Sequence, residues 1–222
     1  MTFYQDRVYP FAKRAIDIAA AIFGILLFGL PMLAIALARK LEGAQRIIFF
    51  QTRVGKDGKL FKICKFSSMV TTTDEEEKNF FRQLKKKNPR LLEEYRRNNF
   101  KFRDDPRITR VGKLIRRFSV DELPQFFNVL RGEMALVGPR AYKPDELEHQ
   151  RKEHPECEGD VCALLTVKPG ITGLWQVSGR SELDFPRRAA LDAAYARRRS
   201  LLEDFRIILK TPWVMLGGKG AY

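Results

Sequence analysis

Residues 15–38 read AIDIAAAIFGILLFGLPMLAIALA, and how this stretch meets a bilayer decides the architecture. A straight helix of that length reaches about 36 Å, enough to cross a hydrocarbon core. Asp17 sits near its start and Pro31 in its second half. The proline removes a backbone hydrogen bond and predicts a kink or a break. Lys13 and Arg14 precede the stretch, and Arg39 and Lys40 follow it. Basic flanks favour the cytoplasmic side of a membrane. A straight crossing strands one pair on the far side, whereas a helix broken near Pro31 returns both pairs to one face, with arms too short to span. The reading adopted is therefore a re-entrant helix-break-helix over residues 1–45. A single crossing is its rival. A cleaved leader is a weaker one, because the apolar run exceeds the usual hydrophobic core of a signal peptide.

Residues 46–222 are long enough for one domain with a true core. The chain carries 41 Lys and Arg against 27 Asp and Glu, a formal charge of +14. That excess points to a polyanionic partner: nucleic acid, an anionic membrane face or a phosphorylated substrate. The cations are spread over several predicted helices and form no known nucleic-acid motif, so a nucleic-acid partner is disfavoured. Three cysteines, an odd and sparse count, favour a reducing compartment over a disulfide framework. His149, His154, Cys157 and Cys162 fall in one short stretch without the compact spacing of a zinc site, and are read as solvated loop residues.

Two short strands are predicted at residues 47–50 with 53–55 and at residues 60–65, joined by a turn at Lys56-Asp57-Gly58. Thr73 and Glu76 have capping-box spacing ahead of a charged helix. Asn88 and Pro89 suit the cap and first position of another. Residues 107–118 fit a short basic amphipathic helix, residues 124–130 an apolar one, and residues 146–152 a third. Residues 137–140 are read as a turn and 168–173 as a loop. Residues 185–209 are read as one broken helix or two in succession. Residues 212–216 suit either core packing or an interfacial anchor led by Trp213.

The chemistry-bearing stretch is FSVDELPQFFNVLRG, residues 118–132. Asp121 and Glu122 adjoin, with Arg116 and Arg117 before them. One reading is structural: Ser119 and Glu122 have capping-box spacing, and acids suit a first helical turn. Pro124 fits better at the start of the helix, which leaves the acid pair just ahead of it. The other reading is phosphate chemistry. An ionised carboxylate is a competent nucleophile towards phosphorus. It also repels a diphosphate, so a bridging cation such as Mg2+ is implied. Arginine grips non-bridging oxygens bidentately, and Glu122 is placed to order a metal shell or act as a base.

Five blocks in order, KRAIDIAAA with its following LP, FFQTRVGKDGKLFKICKF, DDPRITRVGKLIRRFSVDELPQFFNVLRGEMALVGPR, VKPGITGLWQVSGRS and LDAAYARRRSLLEDFRIILKT, resemble the bacterial sugar transferases, the monotopic polyprenyl-phosphate phosphoglycosyl transferases. The likeness runs from about Lys13 to the C-terminus, and the wording is closer to the catalytic cores of the larger members. The resemblance implies an α/β fold: a small mixed catalytic core with amphipathic surface helices on an N-terminal re-entrant membrane helix. It implies the bacterial inner membrane, with residues 46–222 on the cytoplasmic face. It further implies transfer of a sugar-1-phosphate from a UDP-sugar to undecaprenyl phosphate, with Mg2+, as the first membrane step of exopolysaccharide, capsule or O-antigen synthesis. By that likeness Asp121 is nucleophile and metal ligand, and Glu122 its dyad partner. Lys65, Arg116, Arg140, Arg180 and Asp192 then bind substrate, and Pro139-Arg140 form a turn. Hexose substrates, galactose or glucose, are favoured. Anionic lipids are expected partners, and a homodimer stays open. Ser67 stands where the family pattern has arginine and Ala141 where it has a second proline. The opposing reading is a catalytically silent scaffold of a glycan-assembly complex.

Overall fold

A computed structural model of the protein describes residues 8–69, 74–97, 102, 105 and 107–216. The apolar stretch forms helix α1 (Tyr9–Leu41), helical throughout. The break expected at Pro31 is not there. One proline deletes one hydrogen bond, which a helix of 33 residues can lose without ending. By length and composition this helix could cross a membrane. One of its faces belongs to the core: Tyr9, Asp17, Ala21 and Gly24 are buried. At Gly24 a Cβ would come within 2.6 Å of the Phe126 ring, so glycine there lets the helix close on the body. Phe11, Leu26, Leu30, Leu33 and Leu41 lie outward and exposed.

Strands β1 (Ile48–Val54) and β2 (Leu60–Phe66) pair antiparallel, with Phe49 opposite Lys65. Asp57 and Gly58 both adopt positive φ in the connecting turn, as an Asp-Gly hairpin turn requires. The strands are longer than expected, and residues 51–52 join what were read as separate pieces. Helices α2 (Asp74–Lys87) and α3 (Pro89–Arg97) follow. Asn88 caps the second through its Oδ1, which accepts from the Leu91 amide at 3.2 Å. Thr73, the cap expected for α2, lies outside the described residues.

Helix α4 (Arg110–Arg117) starts later than expected because Thr109 caps it, accepting from the Gly112 amide at 3.0 Å. Arg107 instead pairs with Asp105 at 2.8 Å and lies over the Phe80 ring. A 3-10 turn, Val120–Glu122, leads through Pro124 into α5 (Gln125–Arg131). Strand β3 (Ala135–Val137), α6 (Pro144–Glu153), α7 (Glu158–Leu164), β4 (Gly170–Thr172), α8 (Leu174–Ser178), α9 (Phe185–Arg198) and α10 (Leu201–Leu216) complete the described residues. Strands β3 and β4 pair in parallel where a turn and a loop were expected. At Gly138 a Cβ would lie 2.4 Å from the Lys168 carbonyl, so the pairing depends on a bare backbone there. His149 lies on α6 and Cys162 on α7, with His154 between the two helices, rather than in a solvated loop. Cys157 is in the core, and His154 stacks on Phe185. Among the described residues no group of three His, Cys, Asp or Glu could hold a metal.

Among the described residues the architecture is therefore mostly helical, with two small sheets, one antiparallel and one parallel. One core cluster joins Tyr142, Leu147, Val161, Leu164, Phe185 and Ala189. A second joins Ala21 of α1 to Ile63, Val129, Met134 and Ala141. A third joins Leu136 and Val137 to Tyr195 and Ile207.

Both ends of α1 are tied to this body. Near its start, Tyr9 Oη and Lys13 Nζ donate to the Asp204 carboxylate at 3.1 and 3.0 Å. Arg14 donates to the Val129 carbonyl at 2.6 Å, and Asp17 accepts from the Leu136 amide at 3.1 Å. At its far end the buried Arg39 donates to Thr109 and to the Met69 carbonyl. Helix α10 shows Leu202, Phe205, Leu209 and Trp213 exposed, a stripe at helical spacing. Trp213, 77% exposed, is thus not a core residue.

Candidate active site

The acid pair is presented by an unusual local conformation. Arg116 and Arg117 end α4, and Ser119 then turns into the left-handed region at φ 53°. That reversal aims the 3-10 turn, with Asp121 and Glu122, back towards β2. The capping-box alternative fails here: Ser119 makes no side-chain cap, and its Oγ accepts from Arg180 Nη2 at 3.0 Å. Arg180 is itself held at φ 53°, beside Gly179 at φ 156°.

Lys65, on β2, donates to Glu122 Oε1 at 2.5 Å. Its strand is stapled to α5 by Asn128, which is fully buried. The Asn128 amide accepts from the Cys64 backbone and donates to the Lys62 carbonyl, both at 2.8 Å. It also donates to Glu133 at 2.7 Å. Asn128 therefore sets where Lys65 lies, and nothing in the residue pattern marked it.

A cavity of about 640 Å³ is lined by Lys65, Arg116, Asp121, Glu122, Arg140 and Arg180. Six of the seven residues picked from the sequence thus meet in one place. Asp192 does not line the cavity. It is fully buried, and its Oδ2 accepts from the Arg140 backbone amide at 3.0 Å. It holds the Arg140 turn from behind. The Arg140 side chain lies 3.4 Å from Glu146 and near the faces of Trp175 and Tyr142. Glu146, which also faces Arg53 at 3.8 Å, was read only as a helix residue. The two departures are accommodated locally: Ser67 Oγ donates to the Met69 carbonyl at 3.1 Å, and the Ala141 carbonyl accepts from Arg53 at 3.0 Å.

The electrostatics separate the two acids. Burial raises the Asp121 carboxyl, Glu122's charge adds to it, and Lys65 and Arg116 only partly offset this, leaving it at about 6. Burial also penalises Glu122, but the Lys65 ammonium beside it prevails and holds it below the ordinary carboxylate range. Burial pushes Asp192 to about 7, against the Arg140 amide and the Arg188 charge. Glu146 is desolvated too, yet Arg140, Arg53 and Arg188 hold it down. The site pairs one firmly ionised carboxylate with a neighbour of higher basicity, among fixed cations.

The same cavity is lined by apolar residues of both outward-facing helices: Phe23, Leu27 and Phe28 of α1, and Ile208, Pro212 and Val214 of α10. A polar ligand end among the cations and an apolar end along these helices would share one space.

Residues 8–218 match the family described as bacterial sugar transferase. An undecaprenyl-phosphate galactose phosphotransferase of Salmonella typhimurium is 42% identical over 212 residues, covering 96% of this chain and 42% of that protein. The exopolysaccharide production protein ExoY of Rhizobium meliloti is 38% identical over 211 residues, covering 95% of this chain and 88% of its own length. A UDP-glucose:undecaprenyl-phosphate glucose-1-phosphate transferase of Escherichia coli is 38% identical over 215 residues, with 95% of this chain and 41% of that protein covered. The chain thus spans less than half the length of the Salmonella and Escherichia relatives.

Proposed function

The chain belongs to the bacterial sugar transferase family, and from that premise we propose that it moves a sugar-1-phosphate from a UDP-sugar to undecaprenyl phosphate in glycan synthesis. The reading rests on one observation: the acid pair and its cations share a cavity with the apolar faces of α1 and α10. A nucleotide-sugar needs the first feature and a polyprenyl phosphate needs both.

In the proposed reaction an Asp121 carboxylate oxygen attacks the β-phosphorus of the donor. The bond from that phosphorus to the bridging oxygen breaks, and UMP leaves. An oxygen of the lipid phosphate then attacks the aspartyl phosphosugar. The bond from the Asp121 oxygen to phosphorus breaks, freeing the carboxylate and giving a lipid diphosphate sugar. Lys65, Arg116, Arg140 and Arg180 neutralise phosphate oxygens in both steps, where preorganised charge lowers the barrier most. Asp192 fixes the Arg140 turn. Glu122, ionised and held by Lys65, keeps that ammonium aimed at the phosphates.

Mg2+ belongs to this proposal. Asp121 and Glu122 offer adjacent carboxylate oxygens, and Mg2+ commonly takes one or two protein carboxylates and completes its shell with phosphates and water. When bound it would screen the donor's charge from the nucleophile.

The proposed setting is the cytoplasmic face of the inner membrane, with α1 entering and leaving by the same leaflet. Support comes from the anchoring of both its ends to one body through Asp204 and Thr109. The relatives' names favour a hexose, galactose or glucose.

The test is UMP release from a panel of UDP-sugars with undecaprenyl phosphate and Mg2+. Turnover is expected with at least one hexose donor, and Asp121→Asn should abolish it while the protein stays folded. Full activity in that variant would remove Asp121 from the nucleophile's role.

A further inference from the structure

Arg39 looks, in the sequence, like a flanking charge that keeps the end of α1 in the cytosol. It is only 2% exposed, which no flanking charge requires. Its guanidinium donates to Glu42, to Thr109 Oγ1 and, at 3.3 Å, to the Met69 carbonyl. Thr109 caps α4 through the Gly112 amide, and its own amide donates to the Ser68 carbonyl at 3.1 Å. Glu42 Oε1 accepts from the Val111 amide, also at 3.1 Å. The C-terminal end of α1 therefore meets the first turn of α4 twice: Glu42 satisfies the Val111 amide, and Arg39 donates to the capping Thr109. Helix α4 packs hard on the exit of β2, since a Cβ at Gly112 would fall 2.0 Å from the Ser68 carbonyl.

Each of these two elements carries a cation of the proposed reaction. Strand β2 bears Lys65. Helix α4 spans eight residues, about 12 Å, and delivers Arg116 before turning into Asp121 and Glu122. A short, capped helix moves as a rod, so displacement at Thr109 reappears at Arg116.

We infer that Arg39 is a positioning residue: with Glu42 it latches the end of the membrane helix to α4, so that the seating of α1 sets where Arg116 stands against the phosphates. This inference rests on the proposed transferase reading. Arginine suits the task because its planar fork serves several acceptors at once, which an ammonium does not.

The experiment measures initial rates of UMP release by the 222-residue chain in bilayer nanodiscs, normalised to folded protein, with melting temperature recorded in parallel. Misplacing a charged group by about 1 Å can cost a hundredfold in rate. Arg39→Gln is expected to lower kcat by about ten- to a hundredfold, with KM for the UDP-sugar changed less than about threefold, and Arg39→Lys to fall between it and the parent. Glu42→Gln keeps an acceptor for Val111 and should show a smaller loss of the same kind, which serves if Arg39→Gln does not fold. A lowered melting temperature with kcat per folded molecule unchanged overturns the inference, as does a rise in KM alone. Absence of UMP release by the parent protein would instead overturn the functional reading on which it rests.

Discussion

In the proposed reaction Asp121 must be ionised to attack, yet its surroundings favour the proton. Burial does most of this, Glu122 adds to it, and Lys65 and Arg116 pull the other way, for a net value of about 6. At limiting Mg2+ and low donor concentration, the rate of UMP release should therefore rise with pH and level off above about 6, as one group loses one proton. Lys65→Met removes the strongest opposing charge and should carry that rise to higher pH, however much activity it costs. A rise that stays put in the variant would detach it from Asp121. The same shift has a stability sign. A carboxyl raised in the folded state favours folding when protonated, so its contribution is intact below about 4 and is lost as pH climbs through about 6. Asp121→Asn removes that penalty, so its melting temperature should exceed the parent's at pH 8 and converge with it near pH 4. At this scale the sequence was informative where residue type and spacing mark a position. Asp121, Glu122, Lys65, Arg116, Arg140 and Arg180 were all singled out and all line one cavity. Residues that act by position were silent. Asn128 and Arg39 owe their importance to partners 64 and 70 residues away, which no local pattern encodes.

Elements show the same division. The β1–β2 hairpin, α2, α3 and the α9–α10 pair were legible because caps, an Asp-Gly turn and periodicity are local signals. Strands β3 and β4 were not. Each has three residues, and they pair across a register that sets Ala135 against Gly170. Their Gly and Pro neighbours read as turns, although close backbone approach is what those glycines serve. Helix α1 was recognised as membrane-active, but its continuity through Pro31 was not foreseen. The proposed same-side topology rests on its attachments. With Lys13 bound to Asp204 and Arg39 bound to Thr109, neither end can leave the body without abandoning buried charge, which is costly. In a background with Cys64, Cys157 and Cys162 replaced by serine, cysteines at Phe11 and Ala44 should both react with a membrane-impermeant thiol reagent in inside-out vesicles. Neither should react in intact spheroplasts. Labelling of the two from opposite sides would make α1 a simple crossing.

For the molecule as a whole, charge is the dominant fact. A net +14 would be a liability for a free protein, but in the proposed setting, beside an anionic leaflet, it would answer two needs. It would hold the domain to headgroups, each basic residue near the surface contributing about 1 kcal/mol. It would also offset the repulsion that the leaflet exerts on the proposed anionic donor. The second effect separates from the first in nanodiscs of neutral lipid, where only the protein's own field acts on the UDP-sugar. That field is screened over about 10 Å at 0.1 M salt. The cations lining the cavity act at contact and are screened much less. Raising salt from about 0.05 to 0.5 M should therefore raise KM for the donor severalfold and leave kcat nearly unchanged. A kcat that falls with salt while KM holds would mean that the contact cations, not the long-range field, respond to screening. Capture of the donor would then owe nothing to the net charge, and the excess of Lys and Arg would serve the membrane alone.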